Sequence, residues 1–592
     1  MIKDIKNLCE KKHYTLLIFL FFGLIIATLF ELIGLGSLPL FAMLILDAQL
    51  LIDSLPNFIN KEKLLLFTQN ELAVIGVIIL TFIFTTKNIY LGAIVYLQGL
   101  IVKNIRSSIS KKLFYFYTEA PYGFHLQRNP AELLRNLTSD SSKATSIILA
   151  LMNFLREGSI LIMIFGLLFY TDPLISFLVF LFLGTFVKIF FISTRKQLLE
   201  RGEKIQKSSG EQIRVVNQSF GAIKEIKILN KEKFVQQSHG NIVDNIEKNT
   251  LLNYFFTSIP RLFLEIITIF AVVLIATVFL YFDREVSTLI PIITLLAASA
   301  VRLIPAFNSI STSLSLFKSL RPSLDLISKE MKFLEKYINK NDSNNIKKIQ
   351  LKNEIKFENI TFHFPSSKRA AVKDVSLTIK NGSKIGIIGK SGSGKSTFLD
   401  LFIGLLHPSN GKISVDGTDI NEAIKSWQSL IAYVPQDIYL TDDTLKNNIT
   451  FGDNLNDIDK KKLDEAMLLA EVDEFIKDLP NGRETIVGNR GVRLSGGQRQ
   501  RIGIARALYR DKDILFLDEA TNSLDVENEK KIFKNIFVSK TKKTLFIVSH
   551  RHETLMHCDI ILLFENGKLI EKGNYQEMIK KDNFRELNEE KN

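Results

Sequence analysis

Cysteine is nearly absent: Cys9 and Cys558 are the only two in 592 residues. They are far apart, and neither sits in a metal-ligand spacing, so no disulfide framework or cysteine-based metal site follows. A signal-peptide cleavage site is also missing. Lys3, Lys6, Lys11 and Lys12 precede an apolar run as they would in a signal peptide. That run covers 14–46, lacks a convincing small-residue cleavage point and is too long for a signal's apolar region. It reads as a retained first transmembrane helix. Long apolar runs are absent after about residue 325. The formal charge of +13 invites a nucleic-acid reading. Many of the basic residues, however, lie in loops between apolar segments, as the cytoplasmic side of a membrane protein requires. No nucleic-acid partner is expected.

What is present divides the chain in two. Hydrophobic residues make up 46%, with 45 phenylalanines, yet 23% of residues are charged. A chain of this length exceeds one core, and the apolar runs all fall in the first half. Spanning the hydrocarbon takes ~20 apolar residues. Six segments qualify: 14–46, 72–101, 145–170, 173–194, 251–282 and 287–317. Two long basic loops, 102–144 and 195–250, place both chain ends in the cytoplasm by the positive-inside rule. The segment 49–69 between the first two spans reads as a short amphipathic helix on the outer surface or as an ordinary outer loop. The expected division is 1–325 transmembrane domain, 326–348 linker and 349–592 soluble α/β domain.

In the soluble half, "SKIGIIGKSGSGKSTFLDLFIGLL" is an apolar strand, a glycine-rich turn and a helix. Residues 389–396 fit G-x-x-x-x-G-K-[ST] in the setting that motif needs. Gly389, Ser391, Gly392, Ser393 and Gly394 let backbone amides wrap phosphate oxygens, and the helix N-terminus adds favourable partial charge. Lys395 reaches the β- and γ-phosphates, Ser396 is a Mg²⁺ ligand through its hydroxyl, and Thr397 follows. "DILFLDEAT" (513–521) is a hydrophobic strand ending in two acids. Asp518 is placed for Mg²⁺ and Glu519 for polarising the attacking water.

"RLSGGQRQRIGIARAL" (493–508), just upstream of that strand, resembles the signature of the ATP-binding-cassette (ABC) proteins. With six spans, a linker and then a nucleotide domain, the whole chain resembles an ABC exporter half-transporter. That resemblance implies an α-helical six-span domain followed by an α/β P-loop domain, working as a homodimer in the bacterial inner membrane with ATP and Mg²⁺. By it, Phe364 stacks on adenine, and Gln436 contacts Mg²⁺ and the attacking water. His550 contacts the γ-phosphate. Ser495, Gly496, Gly497 and Gln498, with Asp525 in the loop after the catalytic glutamate, serve the opposite subunit's ATP site. Three departures are Phe364 for the commoner Tyr, Asn489 for an acid and "NSLD" for "SALD". Coupling helices are expected near 122–127 and 221–226.

The membrane half raises a question of its own. Arg302 stands in "LLAASAVRLIPAF" (295–307) with no acid within four residues. An unpaired guanidinium in lipid costs from ~3 to over ~10 kcal/mol. Counting helix rise from the outer ends puts Lys87, Arg156, Lys188 and Arg302 ~22 Å deep and Arg261 ~30 Å. Basic residues at these depths favour an anionic head group entering from the inner leaflet, held by Arg302, Arg261 and Lys87. Structural pairing is the competing reading: Glu265 for Arg261, Glu157 for Arg156, Glu31 for Arg302, and snorkelling for Lys188. "PRLFLEII" and "VRLIPAFNSISTS" resemble the PglK-type flippases for lipid-linked oligosaccharides. That implies a polyprenyl-pyrophosphate oligosaccharide, flipped for protein glycosylation, as the lipid substrate. The alternatives are a lipid A-type exporter, a multidrug or peptide exporter, and an ATP-gated channel or regulator. A basic cavity disfavours hydrophobic cations, and intact Glu519 and His550 disfavour the channel.

Overall fold

Prolines and capping residues set where the long helices begin and end. The computed structural model describes the chain except residues 1, 47, 55–60, 65, 172, 282–285, 339–347, 366, 368, 454–456, 489–490, 492–493, 539–542, 550 and 590–592. The chain divides into two compact units, 1–120 with 128–341, and 121–127 with 342–592.

The first unit holds α1 (Lys11–Leu46), α2 (Gln69–Glu119), α3 (Ser141–Thr171), α4 (Pro173–Gly221), α5 (Glu232–Tyr281), α6 (Val286–Ser319) and α7 (Arg321–Ile338). Helices suit this composition because lipid leaves every backbone amide to find its partner internally. Thr68 and Glu71 form a capping box that starts α2. Pro121 ends it by forcing Ala120 into the extended region, with ψ of 141°. Among the described residues four helices are long and apolar enough to cross a membrane: Lys11–Leu46, Gln69–Glu119, Pro130–Thr171 and Ile293–Ser319. The expected spans 173–194 and 251–282 fall in α4 and α5, many of whose side chains lie outside the described residues.

The basic loops expected at 102–144 and 195–250 are mostly helix. Helices α2, α4 and α5 run unbroken for 51, 49 and 50 residues. At 1.5 Å per residue that is ~75 Å, against a hydrocarbon core of ~30 Å. Hydropathy marks only the lipid-facing part of such a helix, so its polar continuation looked like loop. Residues 48–54 and 61–64 of the outer segment are helical, and Ile52 packs on Leu44 and Leu72. The expected linker 326–348 is helical as far as Ile338. The buried residues Leu324, Ile327, Met331 and Leu334 of α7 recur at helical spacing. Asn7 Nδ2, on the short helix Ile2–Leu8, donates to Ser328 Oγ of α7 at 3.0 Å.

The second unit carries two sheets. One orders β2 (Ala370–Lys380), β1 (Glu354–His363), β4 (Asn410–Val415) and β5 (Thr418–Asp419). The other orders β10 (Lys568–Gly573), β9 (Ile560–Glu565), β3 (Lys384–Ile388), β8 (Thr544–Val548), β7 (Ile514–Asp518) and β6 (Ile431–Val434). Strands β9, β3, β8, β7 and β6 run parallel, so the loops after β3, β6, β7 and β8 emerge on one edge. Helix α8 (Lys395–Ile403) buries Phe398 and Phe402 under that sheet. Phe402 meets Phe546 at 4.7 Å and Phe516 at 5.0 Å between ring centroids. Trp427 Nε1 donates to Phe402 O at 2.8 Å, so the indole is buried without an unsatisfied donor.

Cys558 lies in this core with 6% exposure, and burial pushes its thiol up to about 12; burial also raises Cys9 to about 11. The thiolate is the reactive form. At pH 8 a thiol alkylating reagent is therefore expected to modify Cys558 only as the second unit unfolds, with Cys9 reacting slowly. Peptide mass spectrometry along a denaturant series checks this; modification of Cys558 at a free-thiol rate in buffer would contradict it.

Candidate nucleotide site and the buried charge cluster

The phosphate loop turns between β3 and α8, where glycine is required sterically. A side chain at Gly394, whose φ is +100°, would place its Cβ 2.5 Å from Ala371 O of β2. One at Gly389 would collide with Phe564 O of β9. The asparagine-glycine turn at Asn566 and Gly567 between β9 and β10 closes against the same loop, with Gly567 N donating to Ser393 O at 2.9 Å. Lys395 Nζ curls back to donate to Gly389 O at 2.6 Å and to Lys390 O at 3.1 Å. The buried Oγ of Ser393 has no hydrogen-bond partner among the described residues. Ser391, Gly392 and Ser396 are exposed around this cradle, and Thr397 is half-buried.

Asp518 ends β7 with 5% exposure. Burial, then the charge of Glu519, pushes its carboxyl up to about 6. Tyr433 OH donates to Asp518 Oδ2 at 3.4 Å, and burial pushes that phenol well above its usual range. Sequence reasoning did not single out Asp400 on α8. Burial and the charge of Asp518 raise it to about 6. Asp518, a buried acid penalised for its charge, would with the Ser396 hydroxyl and the Gln436 side-chain oxygen supply the oxygen donors that suit Mg²⁺. Bound there, the ion would neutralise charge on the β- and γ-phosphate oxygens.

Glu519 sits at φ +48°, a left-handed conformation that is uncommon for a residue with a side chain. Its backbone N–H donates to Val548 O at 3.2 Å. Gln436 Nε2 donates to Glu519 Oε2 at 2.9 Å and Asn522 Nδ2 to the same oxygen at 2.7 Å. The structure thus brings together Glu519 and Gln436, two of the expected site residues, and adds Asn522, which sequence reasoning missed. His550 and Asn489 lie outside the described residues. Arg551, beside His550 in sequence, pairs with Glu529 and donates to Leu524 O at 3.2 Å, which anchors that loop to the one after Glu519.

Ser495 caps the signature helix α9 (Gly496–Arg510). Gln498 N donates to Ser495 Oγ at 3.2 Å, and Ser495 N donates to Gln498 Oε1 at 2.9 Å. Gly496 and Gly497 let Ser523 approach within 3.2 Å and 3.1 Å of where a Cβ would stand. Asp525 Oδ1 accepts from Asn528 Nδ2 at 2.7 Å, a contact that holds its carboxyl below the usual range. Phe364 is half-buried, edge-on to Phe362 at 5.0 Å. The short helix Tyr122–Leu126, near one expected coupling position, groups with this second unit, where burial and the charge of Asp400 raise the Tyr122 hydroxyl. The other short helix is Ile223–Ile228, and it belongs to the first unit.

In the first unit, three of the basic residues read as buried come together. Arg302 Nε donates to Glu31 Oε1 at 3.0 Å, and its Nη2 lies 3.1 Å from Glu157 Oε2. Lys87 Nζ donates to Glu31 Oε2 at 3.1 Å and stands 4.5 Å over the Phe84 ring. Arg156 Nε donates to Glu157 Oε1 at 3.0 Å, and its Nη1 to Gln98 Oε1 at 3.3 Å. Gly34 leaves the room that Lys87 fills, since a Cβ there would sit 3.1 Å from Lys87 Cδ. Helices α1, α2, α3 and α6 each contribute. Arg302 therefore pairs with Glu31, as the competing reading held, and also with Glu157, which lies 145 positions away and gave no local signal. The side chains of Arg261 and Lys188 are outside the described residues.

Residues 372–522 match the family described as ABC transporter, and residues 17–301 the one described as ABC transporter transmembrane region. The ATP-dependent lipid A-core flippase of Wigglesworthia glossinidia brevipalpis is 34% identical over 82% of this chain and 82% of its own length. That of Sodalis glossinidius is 28% identical over 86% of each. A solved bacterial Atm1-family ABC exporter with ATP bound superposes with a TM-score of 0.77 at 22% identity, over 96% of this chain and 97% of its own. The two flippase relatives side with the lipid A-type alternative, and neither carries the oligosaccharide or protein-glycosylation reading. The chain belongs to the ABC exporters: it is a half-transporter of the bacterial inner membrane, functioning as a homodimer, whose α/β cassettes hydrolyse ATP with Mg²⁺ to drive transport.

Proposed function

We propose that the protein flips an anionic lipid of the lipid A type from the inner to the outer leaflet. The observation that carries this reading is the buried cluster around Arg302: among the described residues its cations outnumber its carboxylates, and the Arg302 side chain keeps 23% exposure while both of its acid partners are at 5%. An anion can reach that guanidinium, whose planar fork suits phosphate oxygens. The names of the flippase relatives support the same class.

In this reading Lys87 and Arg302 meet the head group, with Arg261 on the adjoining helix, while the acyl chains stay in lipid. Each ATP is held between one cassette's phosphate loop and the other's Ser495, Gly496, Gly497, Gln498 and Asp525. Phe364 stacks on adenine. Lys395 and His550 meet the γ-phosphate, and Glu519, oriented by Gln436 and Asn522, takes a proton from water. The short helices at 122–126 and 223–228 carry closure to the membrane helices. A ligand drives such a cycle only by favouring one state over the other.

The test is ATPase stimulation of the purified homodimer by lipid A-core and, separately, by a polyprenyl-pyrophosphate oligosaccharide. Lipid A-core is expected to stimulate at the lower concentration. Stimulation by the oligosaccharide alone would restore the PglK-type reading.

A further inference from the structure

One carboxylate in the cluster does two jobs. Glu31 Oε1 accepts from Arg302 of α6 and Oε2 from Lys87 of α2, so a single acid on α1 ties three helices together. Among the described residues, three cations (Lys87, Arg156 and Arg302) stand against two carboxylates (Glu31 and Glu157). That leaves one surplus positive charge. A guanidinium has five N–H donors, and Glu31 and Glu157 engage only two nitrogens of Arg302. The exposure difference between Arg302 and its partners means that an incoming group meets the cation and not the acids.

We propose that Glu31 is a specificity-determining residue that sets the charge an exported head group must carry, a role that rests on the anionic-lipid reading. To engage Arg302 and Lys87 fully, a head group has to replace the carboxylate that already bridges them. A phosphodiester carries one negative charge and offers these cations nothing that Glu31 does not. A terminal phosphate monoester carries about 1.5 to 2 negative charges and three acceptor oxygens. It can accept from both cations at once and outcompete the carboxylate. Glu31 thereby excludes the phosphodiester lipids that form the bulk of the bilayer and admits heads with a free phosphate. Displacing it also breaks the polar bridge from α1 to α2 and α6, which couples occupancy to that contact between the helices. When the head group leaves, Glu31 recaptures both cations and opposes rebinding.

The test uses the full-length homodimer in phosphatidylcholine nanodiscs. It reads the half-saturating concentration for ATPase stimulation by lipid A and by phosphatidylglycerol. Wild type is expected to prefer lipid A at least tenfold. Glu31→Gln keeps the volume and removes the competing charge. The preference should then fall at least tenfold, because phosphatidylglycerol becomes effective. Lys87→Gln should act oppositely, raising the concentration needed of both lipids while the preference survives. If Glu31→Gln does not assemble, Glu31→Asp, whose shorter arm reaches one cation at a time, should give an intermediate preference. An unchanged preference in the Gln or Asp variant overturns the role of Glu31. A wild type indifferent to lipid A overturns the anionic-lipid reading, and this inference with it.

Discussion

Glu519→Gln stops ATP turnover while nucleotide binding survives. The carboxylate is held by two amides, Gln436 at 2.9 Å and Asn522 at 2.7 Å, on a backbone kept at φ +48°. A glutamine fits that cradle and still accepts a hydrogen bond, but it takes no proton from water. General-base catalysis contributes roughly 10²- to 10⁴-fold, and that is the expected loss of kcat. The phosphate loop, Asp518 and the adenine face are untouched, so ATP affinity should hold within a few fold. Phosphate release together with equilibrium nucleotide binding measures both quantities. Hydrolysis at the wild-type rate would remove Glu519 from its role and leave the buried Asp518 as the alternative base.

Arg302→Ala loses transport, and it destabilises the membrane domain as well. Glu31 and Glu157 are each at 4% exposure, and Arg302 bridges them. Removing one partner of a buried ion pair costs about 3–5 kcal/mol, because the remaining charge stays behind uncompensated. Lys87 and Arg156 still partner one acid each, so the lower end of that range is expected. Arg302→Lys keeps the charge but has no fork to span two acids. It should restore much of the stability and little of the transport. Thermal unfolding of the purified homodimer, read beside lipid transport, separates the two effects. An alanine variant as stable and as active as wild type would deny the cluster both roles.

The parts legible in sequence were those whose chemistry needs neighbours in the chain. The phosphate loop, the acid pair at 518 and 519 and the signature each require contiguous residues, because backbone amides and helix ends do the binding. What stayed illegible depends on strands meeting at a sheet edge. Tyr433 reaches Asp518 because β6 lies beside β7 in parallel, and Arg551 reaches Glu529 from the neighbouring strand's exit. The membrane half shows the same division. Counting helix rise set Lys87, Arg156, Lys188 and Arg302 at one level, and the structure brings Lys87, Arg156 and Arg302 to one cluster. Their acids were harder to assign, since Arg302 and Glu31 are 271 positions apart. The segments read as loops were helices whose polar ends carry no hydropathy signal. Similarity in two short apolar runs also pointed to a narrower flippase group than relatives matched over most of the chain support.

The most direct measurement is ATP-dependent translocation of labelled lipid A-core in proteoliposomes, with the Glu519→Gln protein as the blank. The account predicts movement to the far leaflet with wild type and ATP, and none with the variant or without nucleotide. Intact ATP hydrolysis with no lipid movement, or equal movement by the Glu519→Gln protein, would contradict it.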